Sequence, residues 1–157
     1  MSSKSTATPE NALKKEEVDE RLAGRALARL ATYREDGMIH LTPIWFTWDG
    51  ERFRLTLGAG RVHLKNLRRD ARVSILIDED PRVQHGLGAG AWAIMARGTA
   101  ELSQDAELIR TVTGDVLTRA LGSEDADRYL EPIMAEGRTI VTITPSAWLT
   151  WDYNKGE

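Results

Sequence analysis

Hydrophobic and polar positions alternate along much of this chain with a period of two, interrupted by stretches with a period near 3.6. Between Glu10 and Gly24, Leu13, Val18 and Leu22 fall near helical spacing, and Glu16, Glu17, Asp19 and Glu20 precede Arg21, which predicts a short amphipathic helix. Asp36-Gly37 and Asp49-Gly50 each lie between strand-forming residues, as two-residue hairpin turns require, so three strands in a meander are expected from Ala28 to Leu57. The third alternates Phe53, Leu55 and Leu57 with Arg52, Arg54 and Thr56, so one face is buried. After Gly58-Ala59-Gly60 the period changes. Leu64, Leu67 and Ala71 are three and four apart and predict a short helix with a packed side and a basic side.

Strands are expected again at 72–78 and 91–102, separated by a Pro- and Gly-rich loop at 79–90 that is expected to move. Ser103, Asp105 and Glu107 open a helix carrying Leu108, Val112, Val116 and Ala120, closed by Gly122. Ser123 starts a second helix, interrupted by Pro132 and Gly137. A last strand from Arg138 is expected to break at Pro145 before an extended end with Trp148 and Trp151. Hairpin-linked strands exclude a regular alternation of parallel strands and helices. A mostly β fold with inserted helices, closed into a small barrel so that few edges are exposed, accounts for this many short strands.

Composition narrows the chemistry. The 157 residues suit one domain, assigned to 13–157 after a disordered lead over 1–12. With no cysteine there are no disulfides, thiolate nucleophiles, iron–sulfur clusters or thiolate zinc sites, which fits a reducing cytoplasm. No apolar run approaches the ~20 residues that span a bilayer, and the first residues lack the apolar segment of a signal peptide, so no membrane partner is expected. The three histidines, at 40, 63 and 85, have no metal-binding spacing, and no Gly-x-Ser-x-Gly elbow anchors a hydrolase triad. No side-chain constellation is assigned to bond-making, and no metal site is expected.

The segment GAGRVHLKNLRRD at 58–70 stands out because it holds Arg61, Lys65, Arg68 and Arg69 in a chain of net charge −3. A strand, two glycines and a helix start form the setting in which backbone N–H groups and the positive end of a helix collect an anion. A dinucleotide fingerprint fails because its third glycine would fall at His63, and no Walker lysine is present. On a helical wheel Arg61, Lys65 and Arg68 share a stripe. The segment has four basic residues and one acidic, so the rest of the chain stands near −6, and a long nucleic-acid track would be repelled. An anion cradle without a catalytic constellation points instead to a phosphorylated cofactor that carries the reactive group.

The run LTPIWFTWDGERFRLTLGAGRVHLKNLRRDARVSILID, followed by RGTAEL at 97–102, resembles the split β-barrel flavoproteins related to pyridoxamine 5′-phosphate oxidase, and among them the deazaflavin (F420)-dependent reductase branch. The likeness spans about residues 27–102. It implies a six-stranded split barrel that forms a homodimer and holds FMN or F420 in a groove at the subunit interface. It also implies that an Arg-x-Lys pair before Asn-Leu grips the cofactor phosphate. Arg61 matches the arginine and Asn66 the asparagine, but His63 stands in the lysine position. A neutral imidazole has one N–H donor and no fixed charge, so the grip is expected to be weaker, pH-sensitive or shared with Lys65. Pro43, Ile44 and Trp45 match the stretch along the flavin ring, and Thr56 and Leu57 the adjoining strand. If the helix starts only after His63, residues 61 and 63 both face the groove. The expected function is hydride transfer between FMN or F420 and a small organic substrate; the competing expectation is a non-catalytic flavin or tetrapyrrole binding or storage protein.

Overall fold

The computed structural model describes residues 7–86 and 90–155. An α1 helix (Lys15–Leu22) leads into β1 (Ala28–Tyr33), β2 (Ile39–Ile44), β3 (Thr47–Trp48) and β4 (Phe53–Gly58). Helix α2 (Val62–Arg69), β5 (Arg72–Glu79), a single turn α3 (Arg82–His85) and β6 (Trp92–Ser103) follow. A helical hairpin, α4 (Ala106–Leu121) and α5 (Ser123–Ala135), precedes the final strand β7 (Arg138–Asp152). All strand pairs are antiparallel, in one sheet of order β2-β1-β5-β6-β7-β4-β3.

That order corrects the expected meander. Strand β4 pairs with β3 and β7, not with β2. It also changes the strand count from six to seven, because Trp45 and Phe46 separate β2 from the two-residue β3. Phe46 is fully buried while Trp45 is 42% exposed, so the chain turns here to drive one ring into the core and leave the other outside.

The same two residues force the sheet to curl. Its outermost strands, β2 and β3, are joined by residues 45 and 46 alone. Three virtual bonds reach at most about 11 Å, whereas the edges of a flat seven-stranded sheet would stand about 29 Å apart at ~4.8 Å per strand. The edges must therefore approach each other, giving the barrel-like curl.

Alternation fills the concave side. Ala28 and Leu30 of β1, Phe53, Leu55 and Leu57 of β4, Ile75 and Ile77 of β5, Ile94 of β6 and Ile143 of β7 join one buried cluster with Val18 and Leu22 of α1 and Leu64 and Leu67 of α2. The helical hairpin covers the opposite face of β4 and β7, where Ile109, Val112 and Val116 enclose Ile140 and the Thr56 and Thr113 hydroxyls bond at 2.8 Å. Asp105 caps α4 by accepting from the Leu108 N–H at 2.8 Å.

Several local expectations are revised. Pro145 does not end the last strand. The β6–β7 ladder shifts register between Arg97 and Gly98, so Ser146 is bulged out and pairing continues to Asp152. Pro132 lies within α5 rather than interrupting it. Residues 1–6 of the expected lead lie outside the described residues, but Asn11 is buried, its carbonyl accepts from the Asp152 N–H, and the Leu13 N–H donates to the Thr150 hydroxyl. Residues 87–89 of the 79–90 loop also lie outside the described residues.

Candidate functional site

A cleft of about 540 Å³ opens between the end of β2, the end of β4, the start of α2 and the α4–α5 hairpin. That volume lies within the ~300–1,000 Å³ typical of small-molecule sites. Pro43, Ile44 and Trp45 form one wall, Thr56, Leu57 and Gly58 another, and Val116, Leu117 and Ile133 an apolar floor. Arg61, His63, Arg138 and Glu136 gather at one end.

Antiparallel register explains how distant segments meet here. Gly58 and Arg138 are ladder partners at the ends of β4 and β7, so the turn into α2 begins beside the turn that leaves α5. Gly60, with φ of +78°, permits the sharp change of direction into the helix. Arg61 is the extended residue before α2, and the first-turn N–H groups of Val62 and His63 have no acceptor within the helix. Their positive end therefore adds to the field of Arg61.

The two guanidiniums flank Gly58. A Cβ placed at Gly58 would lie 3.3 Å from Arg138 Nη1 and 3.7 Å from Arg61 Nε. Arg138 is anchored from behind: its Nε donates to the Thr56 hydroxyl at 3.0 Å and its Nη2 to the Thr56 carbonyl at 2.7 Å. Burial lowers its pKa, opposed by Glu136 and reinforced by Arg61. Arg61 is exposed and forms no ion pair or side-chain hydrogen bond among the described residues.

His63 is 8% exposed, and its buried Nε2 has no hydrogen-bond partner. Its ring stacks on His40 at 6.0 Å with planes 14° apart. Burial first, then the His40 and Arg61 charges, push its pKa down to about 4, so at neutral pH it is an uncharged imidazole. A polar atom left buried without a partner is costly, and such an orphan near Arg61 suits a ligand that brings hydrogen-bonding atoms.

Seven of the nine residues singled out from the sequence line this cleft: Pro43, Ile44, Trp45, Thr56, Leu57, Arg61 and His63. Lys65 and Asn66 lie elsewhere. The buried Asn66 ties α2 to β1 by donating to the Thr32 hydroxyl at 3.0 Å, and Lys65 is exposed beside Arg34 and Arg69. The wheel that grouped Arg61 with Lys65 thus gives way to a grouping of positions 61 and 63. The helix nevertheless starts at Val62 and not after His63, so His63 reaches the cleft from the first helical turn. Trp148 packs on Trp48 and Phe53, at 5.6 and 6.0 Å, and does not line the cleft.

Sequence reasoning placed the glycines at 58 and 60 in an anion cradle but missed Glu136 and Arg138, together with the helical floor. Arg138 sits 77 positions beyond Arg61, and only the β4–β7 register brings them together. The one available signal was that Arg138 opens a strand immediately after a glycine.

Comparison with known proteins agrees with this architecture. A conserved hypothetical protein from Mycobacterium tuberculosis superposes with a TM-score of 0.80 at 24% identity, over 94% of this chain and 90% of its own. An F420 reductase matches with a TM-score of 0.58 at 22% identity, covering 83% and 94% of the two chains. The heme storage protein HutZ from Vibrio cholerae matches at 0.66 and 21% identity, covering 87% and 93%. At these identities the likeness is one of fold. The family model for pyridoxamine 5′-phosphate oxidase matches residues 15–152, a span that contains the entire sheet and every residue lining the cleft, and the chain therefore belongs to that family.

Proposed function

We propose that this protein is a cytoplasmic, homodimeric oxidoreductase that moves a hydride between a flavin or deazaflavin, FMN or F420, and a small organic molecule. The observation that carries this reading is the division of one cleft into an apolar wall at Pro43, Ile44 and Trp45 and a cationic end at Arg61 and Arg138. A flat ring with a phosphorylated tail has the same division. Family membership and an F420 reductase of similar fold support the reading.

The bound ring would supply the hydride chemistry itself. The chain's residues bind, orient and exclude water. The backbone and side chains of Pro43 to Trp45 would lie along the ring, and Val116, Leu117 and Ile133 would keep water from its buried edge. Arg61 would fix the phosphate end, so that a substrate entering from the open side meets the ring at reacting distance. His63, uncharged and buried, can exchange a hydrogen bond with the ligand but supplies no permanent charge.

The second subunit would cover the outward face of the sheet. There Ile39 and Leu41 of β2 are 54% and 65% exposed, Leu149 of β7 is 40% exposed, and Trp45 links this face to the cleft. An apolar sheet face left open to water favours association.

The competing reading is a binder that stores a flavin or tetrapyrrole, supported by the heme storage protein of similar fold and by the lack of an assigned acid or base. Spectra of the cofactor-loaded protein, mixed with a panel of electron donors and acceptors, separate the two. Cofactor absorbance that bleaches and recovers over repeated cycles is expected of the oxidoreductase. A cofactor that binds but never changes redox state under any combination would establish the binder.

A further inference from the structure

The weak point of the anion-binding end is position 63. Where the family resemblance calls for a lysine, this chain has a histidine that is 8% exposed and whose pKa is pushed down to about 4. A single exposed arginine would then face the whole phosphate, which carries nearly two negative charges as the monoester of FMN and one as the diester of F420. A second fixed cation is available from an element far away in sequence.

We propose that Arg138 supplies that second charge, holding the cofactor's phosphate jointly with Arg61 across Gly58, and that Glu136 competes with the phosphate for it. This rests on the functional reading above and adds a binding residue and an internal competitor to it. Three features of Arg138 support the role. Its side chain is only 12% exposed, and a buried guanidinium without a full counter-charge is costly unless an anion arrives. Its Nε and Nη2 are committed to Thr56, which fixes the plane of the group and leaves Nη1 as the free edge. That free edge points toward the space kept clear by Gly58, beside the Arg61 guanidinium. Two planar forks on either side of Gly58, one anchored and one exposed, suit the several oxygens of a phosphate better than a lone point charge does.

Among the described residues that line the cleft, Glu136 is the one carboxylate. Its Oε2 stands 3.9 Å from Arg138 Nη1, at the outer limit of an ion pair, and its side chain is 68% exposed. A contact that long and that wet contributes little to stability. It does place negative charge where the phosphate would sit, so each binding event displaces it.

The test compares each ring with and without its phosphate: FMN against riboflavin, and F420 against its phosphate-free deazaflavin core, titrated by ring fluorescence. The wild type is expected to prefer the phosphorylated form. Arg138→Gln should cut that preference about tenfold to a hundredfold, as loss of a charge-assisted hydrogen bond does. The affinity for the phosphate-free ring should be unchanged, and Arg138→Lys should recover part of the loss. Arg61→Gln should act to a similar degree. Glu136→Gln, at an exposed position that leaves Thr56 and Arg138 in place, should raise the preference several-fold, and it decides the matter should Arg138→Gln fail to fold.

An undiminished phosphate preference in folded Arg138→Gln, or an unchanged preference in Glu136→Gln, would overturn the proposal. Ring binding with no preference for the phosphate in the wild type would also overturn it while leaving the flavin reading intact. Failure of the wild type to bind any of the four compounds would instead defeat the functional reading on which it rests.

Discussion

At the scale of single residues, His63 shows how burial changes the meaning of a sequence position. Its mismatch to the family lysine was legible, and a pH-sensitive grip followed as one expectation. The structure moves the titration well below neutrality, to about 4, so the ligand-free site keeps an uncharged imidazole throughout the physiological range. This shift has a stability consequence. The folded imidazole is harder to protonate than the unfolded one, whose pKa is 6.5, so the unfolded chain binds more protons between those values. Stability is then complete above pH 6.5 and declines as pH falls toward about 4, by up to about 3 kcal/mol at 1.36 kcal/mol per pH unit. Urea denaturation of the ligand-free protein from pH 7 to pH 4 should therefore show a steeper loss in the wild type than in His63→Gln, and parallel profiles would contradict the burial of this ring. Arg138 teaches the opposite lesson. Its only local mark is the glycine before it, since its part in the site comes from a pairing with Gly58 that one-dimensional spacing does not encode.

At the scale of elements, the alternation in β4 and β5 and the helical spacing of α2 were readable because each segment has one buried face. The readings that failed concern prolines within long elements. A proline removes one N–H and fixes φ, which predicts that β7 ends at Pro145. Instead, the bulge at Ser146 absorbs the misfit, and the strand continues along β6 to Asp152. The device depends on Gly98, the partner of Pro145. A Cβ built there would stand 2.1 Å from the Thr144 carbonyl oxygen and 2.9 Å from its carbon, both backbone atoms that cannot swing aside. Gly98→Ala should consequently lower stability by about 2 kcal/mol or more, as overpacking against a rigid neighbour does. A shift of the urea midpoint equivalent to less than ~0.5 kcal/mol, the range of neutral surface changes, would show that the bulge relaxes freely.

At the scale of the whole molecule, an all-antiparallel barrel-like sheet was foreseeable from the hairpin signals, but its strand order was not. The expected meander joined neighbours in sequence. The structure instead sends β3 and β4 to the far edge, so that two residues close the curl and β7 comes to lie between β4 and β6. That closure sets the cleft between the ends of β2 and β4 and gives the apolar wall and the cationic end a common volume. It also leaves the outer face at Ile39, Leu41 and Leu149 open, and the proposed dimer would bury it. Sedimentation should report twice the chain mass for the wild type and the single-chain mass for Leu41→Glu, whose side chain is 65% exposed within one subunit. A wild type that sediments as a monomer at micromolar concentration would remove the dimer from the account. The central claim is that this cleft holds a phosphorylated flavin or deazaflavin, and a ring-fluorescence titration of the purified wild type with FMN and with F420 tests it most directly. The account predicts saturable binding of at least one of them in the low micromolar range or tighter; no saturation by either up to high micromolar concentration would contradict it.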